Sequence, residues 1–252
     1  MAQLLGLHEQ SKSSSTAQPA DRGLHANFDK CQVVPPAGIA GTSACEDFVG
    51  WHHVTTGAFK LLGAPLGSAE FCASKIADRV AKARTLLSEI GEYNDPQGGM
   101  QVLRHCASWS KLVYACRTVP PAHIAEELRG FDEALRDTTS EVAGKALPDY
   151  SWHIAQLPSA KGGLGLRLPT LHSAAAYLSS VRASSDVCKQ IDGSFDHSDI
   201  DGGLGLQHAL RRLQAACLPA APVHSIAVGD LSLLGSKKAS EPRSQTYWAM
   251  IS

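Results

Sequence analysis

Three basic residues, Lys75, Arg79 and Lys82, are spaced so that they would share one face of a helix. Such a row can follow the phosphates of a nucleic acid, because binding to the phosphate backbone requires only a few well-placed cations. Asp78 and Glu70 lie in the same stretch, and a solvated face of mixed charge is the commoner meaning of this pattern. The spacing therefore leaves two interpretations open, a phosphate-binding row and an ordinary surface.

A second group of cations follows in the next predicted helix. Arg104, Lys111 and Arg117 could extend the phosphate-binding row. Trp109 and Tyr114 lie among them and could stack on bases, although aromatic residues at this spacing more often belong to a hydrophobic core. The sequence leaves open whether this second helix adds to a nucleic-acid contact or only to the core.

Metal-binding patterns are weak in this chain. Cys31, Cys45, His52 and His53 could in principle bind zinc, but their irregular spacing and the absence of a CxxC pair argue against it. The acidic stretch "DHSDID", residues 196–201, does not match the spacing of an EF-hand. The sequence predicts no metal site.

Two glycine-rich strings, "GGLGLR" from residue 162 and "DGGLGL" around residue 202, suggest loops that cradle phosphate. Neither string matches G-x-G-x-x-G, and neither ends in GK[ST]. They predict turns in which glycine adopts a positive φ.

Composition limits the classes of partner. The chain has 252 residues, of which 44% are hydrophobic and 19% charged, and its formal net charge is −1. Nucleic-acid binding therefore requires local clustering of cations. Seven cysteines without CxxC spacing, and an N-terminus without a basic segment followed by an apolar one, indicate a reducing, intracellular compartment. No apolar run approaches the ~20 residues of a membrane-spanning helix.

The first helix is predicted from Ser68, a suitable N-cap, to Gly91. Apolar residues follow Ser68 at steps of three and four, the spacing of one buried helical face. These are Cys72, Ile76, Val80, Ala83, Leu87 and Ile90.

Two more helices should follow. Asp95 and Pro96 begin a second helix that the pattern continues to Tyr114, and Pro121 begins a third that ends at Leu147 and Pro148. The third helix has an apolar face of Ile124, Leu128, Phe131, Leu135 and Val142. Residues 68–147 are thus predicted as a three-helix unit with an interior of Ile76, Val80, Leu87, Leu103, Leu128, Phe131 and Leu135.

The stretch before the first helix predicts a tight hairpin. Phe59, Leu61 and Leu62 precede Gly63, and a proline, a leucine and Gly67 follow it. The two glycines would supply unusual backbone angles, and the apolar side chains would pack against the first helix.

Beyond the third helix the pattern is looser. Another helix is predicted from a Thr170 cap to about Val181, and a last one over 207–218.

Three stretches, taken in order, resemble reverse transcriptases of the non-LTR retrotransposon type. "GLHANFDKCQVVPP" (23–36) resembles motif D, "FKLLGAPLG" (59–67) resembles motif E or the primer grip, and "SWHIAQLPSAKGGLGLR" (151–167) resembles a segment beyond the thumb. The resemblance implies a mainly α fold, in which a short β-hairpin remnant of a polymerase palm precedes a three-helix thumb-like bundle and further helices. It divides the chain into a leader (1–22), palm remnant (23–67), thumb (68–147), post-thumb segment (148–218) and tail (219–252).

The resemblance also implies roles. Lys30 occupies the position of the motif D lysine, which in the family is thought to protonate pyrophosphate. The hairpin would hold a primer end, and an RNA or DNA primer-template duplex would be the partner. The intact family uses Mg²⁺ bound by an early aspartate and an Asp-Asp pair, but this chain contains no Asp-Asp dipeptide and begins after those strands.

We therefore expect a truncated, catalytically inactive relative that needs no cofactor of its own and binds nucleic acid at most weakly. The alternatives are an α-helical protein-interaction module and a decayed fragment without activity. Without the metal ions and the nucleotide, Lys30 is expected to be a solvated turn lysine in this chain.

Overall fold

A computed structural model describes residues 32–34, 52–54, 57–196 and 204–217. Over these residues the chain is mainly α-helical, which confirms the predicted fold class at that level. The chain divides after Phe59 into two compact units. Lys30, the predicted leader and tail, the start of the second glycine-rich string and most of the acidic stretch at 196–201 lie outside the described residues.

The described residues of the first unit before residue 57 form a short pair of strands. Strand β1 (Gln32–Val33) pairs in parallel with β2 (His52–His53), and the Val54 amide donates a hydrogen bond of 2.9 Å to the Val33 carbonyl. Strand β1 lies within the stretch 23–36 that resembles motif D. The two histidines of the weak zinc pattern lie in β2, whereas its cysteines lie outside the described residues.

A β-hairpin that begins at Phe59 leads directly into a long helix. Strands β3 (Phe59–Leu61) and β4 (Ala64–Leu66) pair across two residues, and α1 runs over Ala69–Gly91. The Ser68 hydroxyl accepts a hydrogen bond of 3.2 Å from the Phe71 amide, which confirms the predicted N-cap. All six residues of the predicted apolar face of α1 are buried.

The second predicted helix is interrupted, so the prediction of one helix to Tyr114 is wrong. Its N-cap, Asp95, is confirmed, but α2 (Pro96–Val102) passes into a π-helical turn (Leu103–Ala107), and α3 (Trp109–Thr118) begins after Ser108. Uninterrupted α-helical geometry would turn Leu112 about 180° away from Leu103. The wider turn and the break at Ser108 allow both leucines to be buried in the same core.

The third predicted helix is shorter at both ends. Residues 121–124 form a turn, and α4 covers Ala125–Val142, so the predicted start at Pro121 and end near Leu147 are wrong. Gly144 has a φ of +67° and donates to the Glu141 carbonyl, while the next amide donates to the Ser140 carbonyl. These two bonds form a Schellman motif, which satisfies carbonyls at the helix end. The predicted apolar face of this helix is buried throughout.

Three further helices follow, α5 (Asp149–Gln156), α6 (Pro169–Ile191) and α7 (Leu204–Cys217). Helix α6 continues ten residues beyond the predicted end at Val181. Thr170 is not its cap, because Leu168 occupies the N-cap position and Thr170 lies inside the first turn. Helix α7 confirms the predicted last helix with an earlier start.

The glycine string after α5 forms a compact corner. A single 3-10 turn (Ser159–Lys161) leads into Gly162, whose φ is +81°, and Gly165 has a φ of +73°. The amides of Leu164 and Leu166 both donate to the Ala155 carbonyl. The prediction of a turn with positive φ is confirmed for this string.

One hydrophobic core joins most of the helices of the second unit. It runs from Cys72 in α1 to Leu168 at the start of α6, and it contains all seven residues predicted for the interior. Helix α6 packs against α3 and α4, so the core continues across residues 147 and 148. A smaller cluster joins α6 to α7. Among the described helices, none has the length and apolar character needed to cross a membrane.

Candidate functional site

The turn between β3 and β4 has left-handed backbone at both of its central residues. Leu62 has a φ of +49° and Gly63 a φ of +89°, as a type I′ hairpin requires. Gly67, at the junction with α1, has a φ of +139°. The unusual angles predicted for the two glycines are therefore confirmed, whereas the same geometry at Leu62 was not foreseen.

Two leucines of the hairpin, Leu61 and Leu62, point to solvent. Leu61 is 53% exposed and Leu62 is 89% exposed, while Ala64 and Pro65 of the second strand are buried. The prediction that the apolar side chains of the hairpin pack against the first helix is therefore wrong for Leu61 and Leu62. The reason is geometric, because a central turn residue projects beyond the end of its strand pair, where no helix covers it.

Side chains from two helices hold this turn. The Tyr114 hydroxyl in α3 donates a hydrogen bond of 2.9 Å to the Leu62 carbonyl, and the Arg79 guanidinium in α1 donates one of 3.3 Å to the Gly63 carbonyl. The Arg79 guanidinium carbon also lies 5.8 Å from the centre of the Tyr114 ring, within cation-π range. Both carbonyls of the turn are thus occupied by these two residues, which we call the turn clamp.

A buried thiol fixes the base of the hairpin. The Cys72 sulfur lies 3.6 Å from the Pro65 carbonyl oxygen and 4.0 Å from that of Gly67. Burial raises the pKa of the Cys72 thiol, so the group stays protonated and can donate to these carbonyls. The second strand is therefore attached to the first turn of α1.

Two predicted phosphate-binding lysines flank the clamp along α1. Lys75 and Lys82 are exposed and lie about one helical turn before and after Arg79. Lys75 is near Asp78, at 3.9 Å, and exposed pairs of this kind contribute little. Lys111 is exposed on α3, one turn before Tyr114. These lysines are available to an anion, whereas the Arg79 side chain is directed to the hairpin.

The other predicted binding residues lie elsewhere. Arg104 is in the π-helical turn, where its guanidinium covers Gly165, and a Cβ on that glycine would be 3.2 Å from the Arg104 Nε. Trp109 is half-buried, with its ring edge-on to His172 at 5.6 Å between centroids, so it has a packing role. Burial lowers the pKa of His172 to about 4, which leaves its imidazole neutral. The structure thus has the Arg104 side chain against Gly165 and the Trp109 ring against His172.

A buried carboxyl, Asp132, was not identified in the sequence. It is 8% exposed, and its Oδ2 accepts hydrogen bonds from the Thr170 amide, at 3.2 Å, and from the Thr170 hydroxyl. Its Oδ1 has no hydrogen-bond partner. Burial raises the pKa of Asp132 to about 7 despite these bonds. Its only visible sequence signal is an acidic residue beside Phe131 on an apolar helical face.

Within residues 32–34, 52–54, 57–196 and 204–217, no three His, Cys, Asp or Glu side chains converge as metal ligands would. Among the residues that the structure describes, the exposed hairpin tip and the lysines beside it form a surface that a macromolecule could contact. Comparisons with protein-family models, with curated proteins and with solved structures gave no match to this chain.

Proposed function

We propose that this chain is a reverse-transcriptase-like protein, derived from a retroelement, that binds a primer-template duplex and has no polymerase activity of its own. One observation carries the proposal. The exposed tip of the hairpin is fixed to the N-terminal end of a helix that carries solvent-facing lysines. This order of hairpin, capped helix and cations is the one that the resemblance to the primer grip and thumb implies.

The spacing of the lysines suits a nucleic-acid strand. Lys75 and Lys82 are seven residues apart, which corresponds to about 10.5 Å along a helix axis. Two long lysine side chains at this separation can reach two phosphates of the same strand of a duplex. The hairpin tip at the N-terminal end of α1 would then meet the end of the duplex, where the apolar surfaces of sugar and base are accessible.

The expected inactivity has a separate basis in the sequence. Phosphoryl transfer by two metal ions needs carboxylates that place both ions against the reacting phosphate. The chain has no Asp-Asp dipeptide to supply them. Duplex binding without nucleotide addition is therefore the activity that we assign.

A protein-interaction module is the second candidate. The exposure of Leu62 favours it, because a projecting leucine can also enter an apolar pocket of a protein partner. The two candidates differ in their dependence on salt. Binding through phosphates weakens steeply as salt increases, whereas apolar docking does not.

The test is fluorescence anisotropy with a labelled RNA–DNA primer-template duplex over a series of salt concentrations. The parent should bind with a negative slope of log affinity against log salt, and Lys75→Ala/Lys82→Ala should reduce that slope by about two units, at about 0.9 per lost phosphate contact. Circular dichroism should show unchanged helicity, because both lysines are exposed. The same duplex with Mg²⁺ and nucleotides should show no primer extension.

Lys145→Ala/Lys189→Ala is the matched control, because it makes the same change of charge at two other exposed lysines. This control should leave the slope close to that of the parent. A parent that binds no duplex, or a Lys75/Lys82 variant with the slope of the parent, would contradict the proposed function.

A further inference from the structure

The turn at the hairpin tip has a conformation that its first central residue disfavours. Leu62 has a φ of +49°, a region in which the Cβ of an L-residue crowds the following carbonyl oxygen. Type I′ turns normally have Asn, Asp or Gly at this position. An isolated two-stranded hairpin is at best marginally stable in water. Contacts from the rest of the molecule must therefore maintain this turn.

The turn clamp supplies those contacts from rigid positions. Tyr114 is followed in α3 by the buried Ala115 and Cys116, and Arg79 is followed in α1 by the buried Val80. Both side chains thus extend from helices that are anchored in the core. They reach the carbonyls of two successive turn residues, and their mutual stacking orients each against the other.

We propose that Tyr114 and Arg79 are positioning residues that hold the turn at Leu62 and Gly63 in a single left-handed conformation. The clamp presents the exposed leucines as a preformed contact surface, which lowers the entropy that binding would otherwise cost. The identity of the ligand rests on the proposed function, whereas the action of the clamp does not. Arg79 is thereby assigned to the hairpin and not to the phosphates.

Hydrogen–deuterium exchange of the peptide covering residues 59–66 tests the clamp directly. Tyr114→Phe removes the hydroxyl and keeps the ring, so amides of this peptide should exchange about 3- to 10-fold faster, the range expected for one lost neutral hydrogen bond. Exchange in α4 should not change. Tyr150→Phe is the matched control, because Tyr150 is 77% exposed on α5 and its variant should exchange as the parent does. Equal hairpin exchange in Tyr114→Phe and the parent would overturn the proposal.

A rescue experiment identifies what the clamp opposes. Asparagine tolerates left-handed backbone far better than leucine does. Adding Leu62→Asn to the Tyr114→Phe variant should therefore slow hairpin exchange to within about twofold of the parent. If exchange stays as fast as in Tyr114→Phe alone, the backbone preference at Leu62 is not what the clamp opposes, and the proposal fails.

Duplex binding separates positioning from phosphate contact. Arg79→Ala should weaken binding of the primer-template duplex while leaving the salt slope unchanged, because no phosphate contact is lost. A slope that falls by about one unit would show that Arg79 meets a phosphate, and would overturn its assignment. If the parent binds no duplex at all, the proposed function fails, and the exchange measurements still decide whether the clamp exists.

Discussion

At the scale of single residues, Asp132 links two helices that are far apart in the chain. Helix α6 begins with Pro169, and Leu168 at its N-cap position has no side-chain acceptor for the first free amides. The Asp132 carboxylate in α4 accepts from the Thr170 amide and takes the place of the missing cap. This arrangement buries the Asp132 carboxyl and leaves its Oδ1 without a hydrogen-bond partner, which disfavours the charged form.

This burial predicts a pH-dependent contribution to stability. The pKa of Asp132 is about 7 in the folded chain, against 3.8 as its reference value, so between those values the folded state binds the additional proton. The contribution of Asp132 to the free energy of unfolding should rise as the pH falls from about 7 to about 4, and should be lost as the pH rises through 7. Asp132→Asn keeps an oxygen for the Thr170 amide and removes the titration. The stability of this variant relative to the parent should therefore increase as the pH rises from about 4 to about 7, by a total on the order of 1–4 kcal/mol.

Urea unfolding at several pH values between 4 and 8 measures this effect as a difference between the variant and the parent. The difference cancels other carboxyls such as Glu70 and Asp192, whose lowered pKa values act in the opposite direction. A difference that is constant over the whole range would mean that Asp132 does not titrate within it.

Residue-level contacts were the least predictable feature of the candidate site. The spacing of Lys75, Arg79 and Lys82 predicts a shared helical face, and the structure has α1 over this stretch. The pattern could not indicate that Arg79 bonds a carbonyl 16 residues away, or that Tyr114 bonds one 52 residues away. Such partners depend on how the helices pack, which periodicity does not encode.

At the scale of elements, helices were predictable where apolar residues recur at helical spacing and where the N-cap residue has a side chain that can accept a hydrogen bond. Helix α1 has both features, and Ser68 and its apolar face were correctly identified. The π-helical turn has neither feature, and its five residues include no glycine or proline. Its only sign in the sequence is that Leu103 and Leu112 would lie on opposite faces of a continuous α-helix. The end of α4 was misplaced because Gly144, the residue that terminates it, was not considered.

The glycine corner after α5 supplies a prediction with an internal control. A Cβ on Gly163 would lie 2.1 Å from the Leu157 carbonyl oxygen and 2.5 Å from that of Ile154, so Gly163→Ala must displace backbone. A Cβ on Gly162 would meet nothing within 4 Å, and only its φ of +81° opposes alanine there. Gly162→Ala should therefore cost about 1 kcal/mol, and Gly163→Ala clearly more. Urea unfolding of both variants gives the order, and equal losses would show that the corner opens without penalty.

At the scale of the whole molecule, the core of the second unit does not stop where the three predicted helices stop. Trp152 in α5 and Leu166 after the glycine corner belong to the same buried cluster as Phe131 in α4. The net charge of −1 gives the chain no general attraction for nucleic acid. The duplex binding that we propose therefore requires a local group of cations, such as the exposed lysines on α1 beside the hairpin.

A shared core predicts that its helices unfold together. Phe131 is fully buried at its centre, so Phe131→Ala should lower the free energy of unfolding by about 3–5 kcal/mol. Far-ultraviolet circular dichroism reports on all of the helices, and tryptophan fluorescence reports in part on Trp152, which lies beyond residue 147. Both signals should shift to the same lower urea midpoint, because loss of packing at Phe131 reaches α5 through contiguous side chains. Lys189→Ala, at an exposed site, should leave the midpoint within error of the parent. Two separate midpoints in the Phe131 variant would mean that α5 and the residues after it fold independently of the three preceding helical segments.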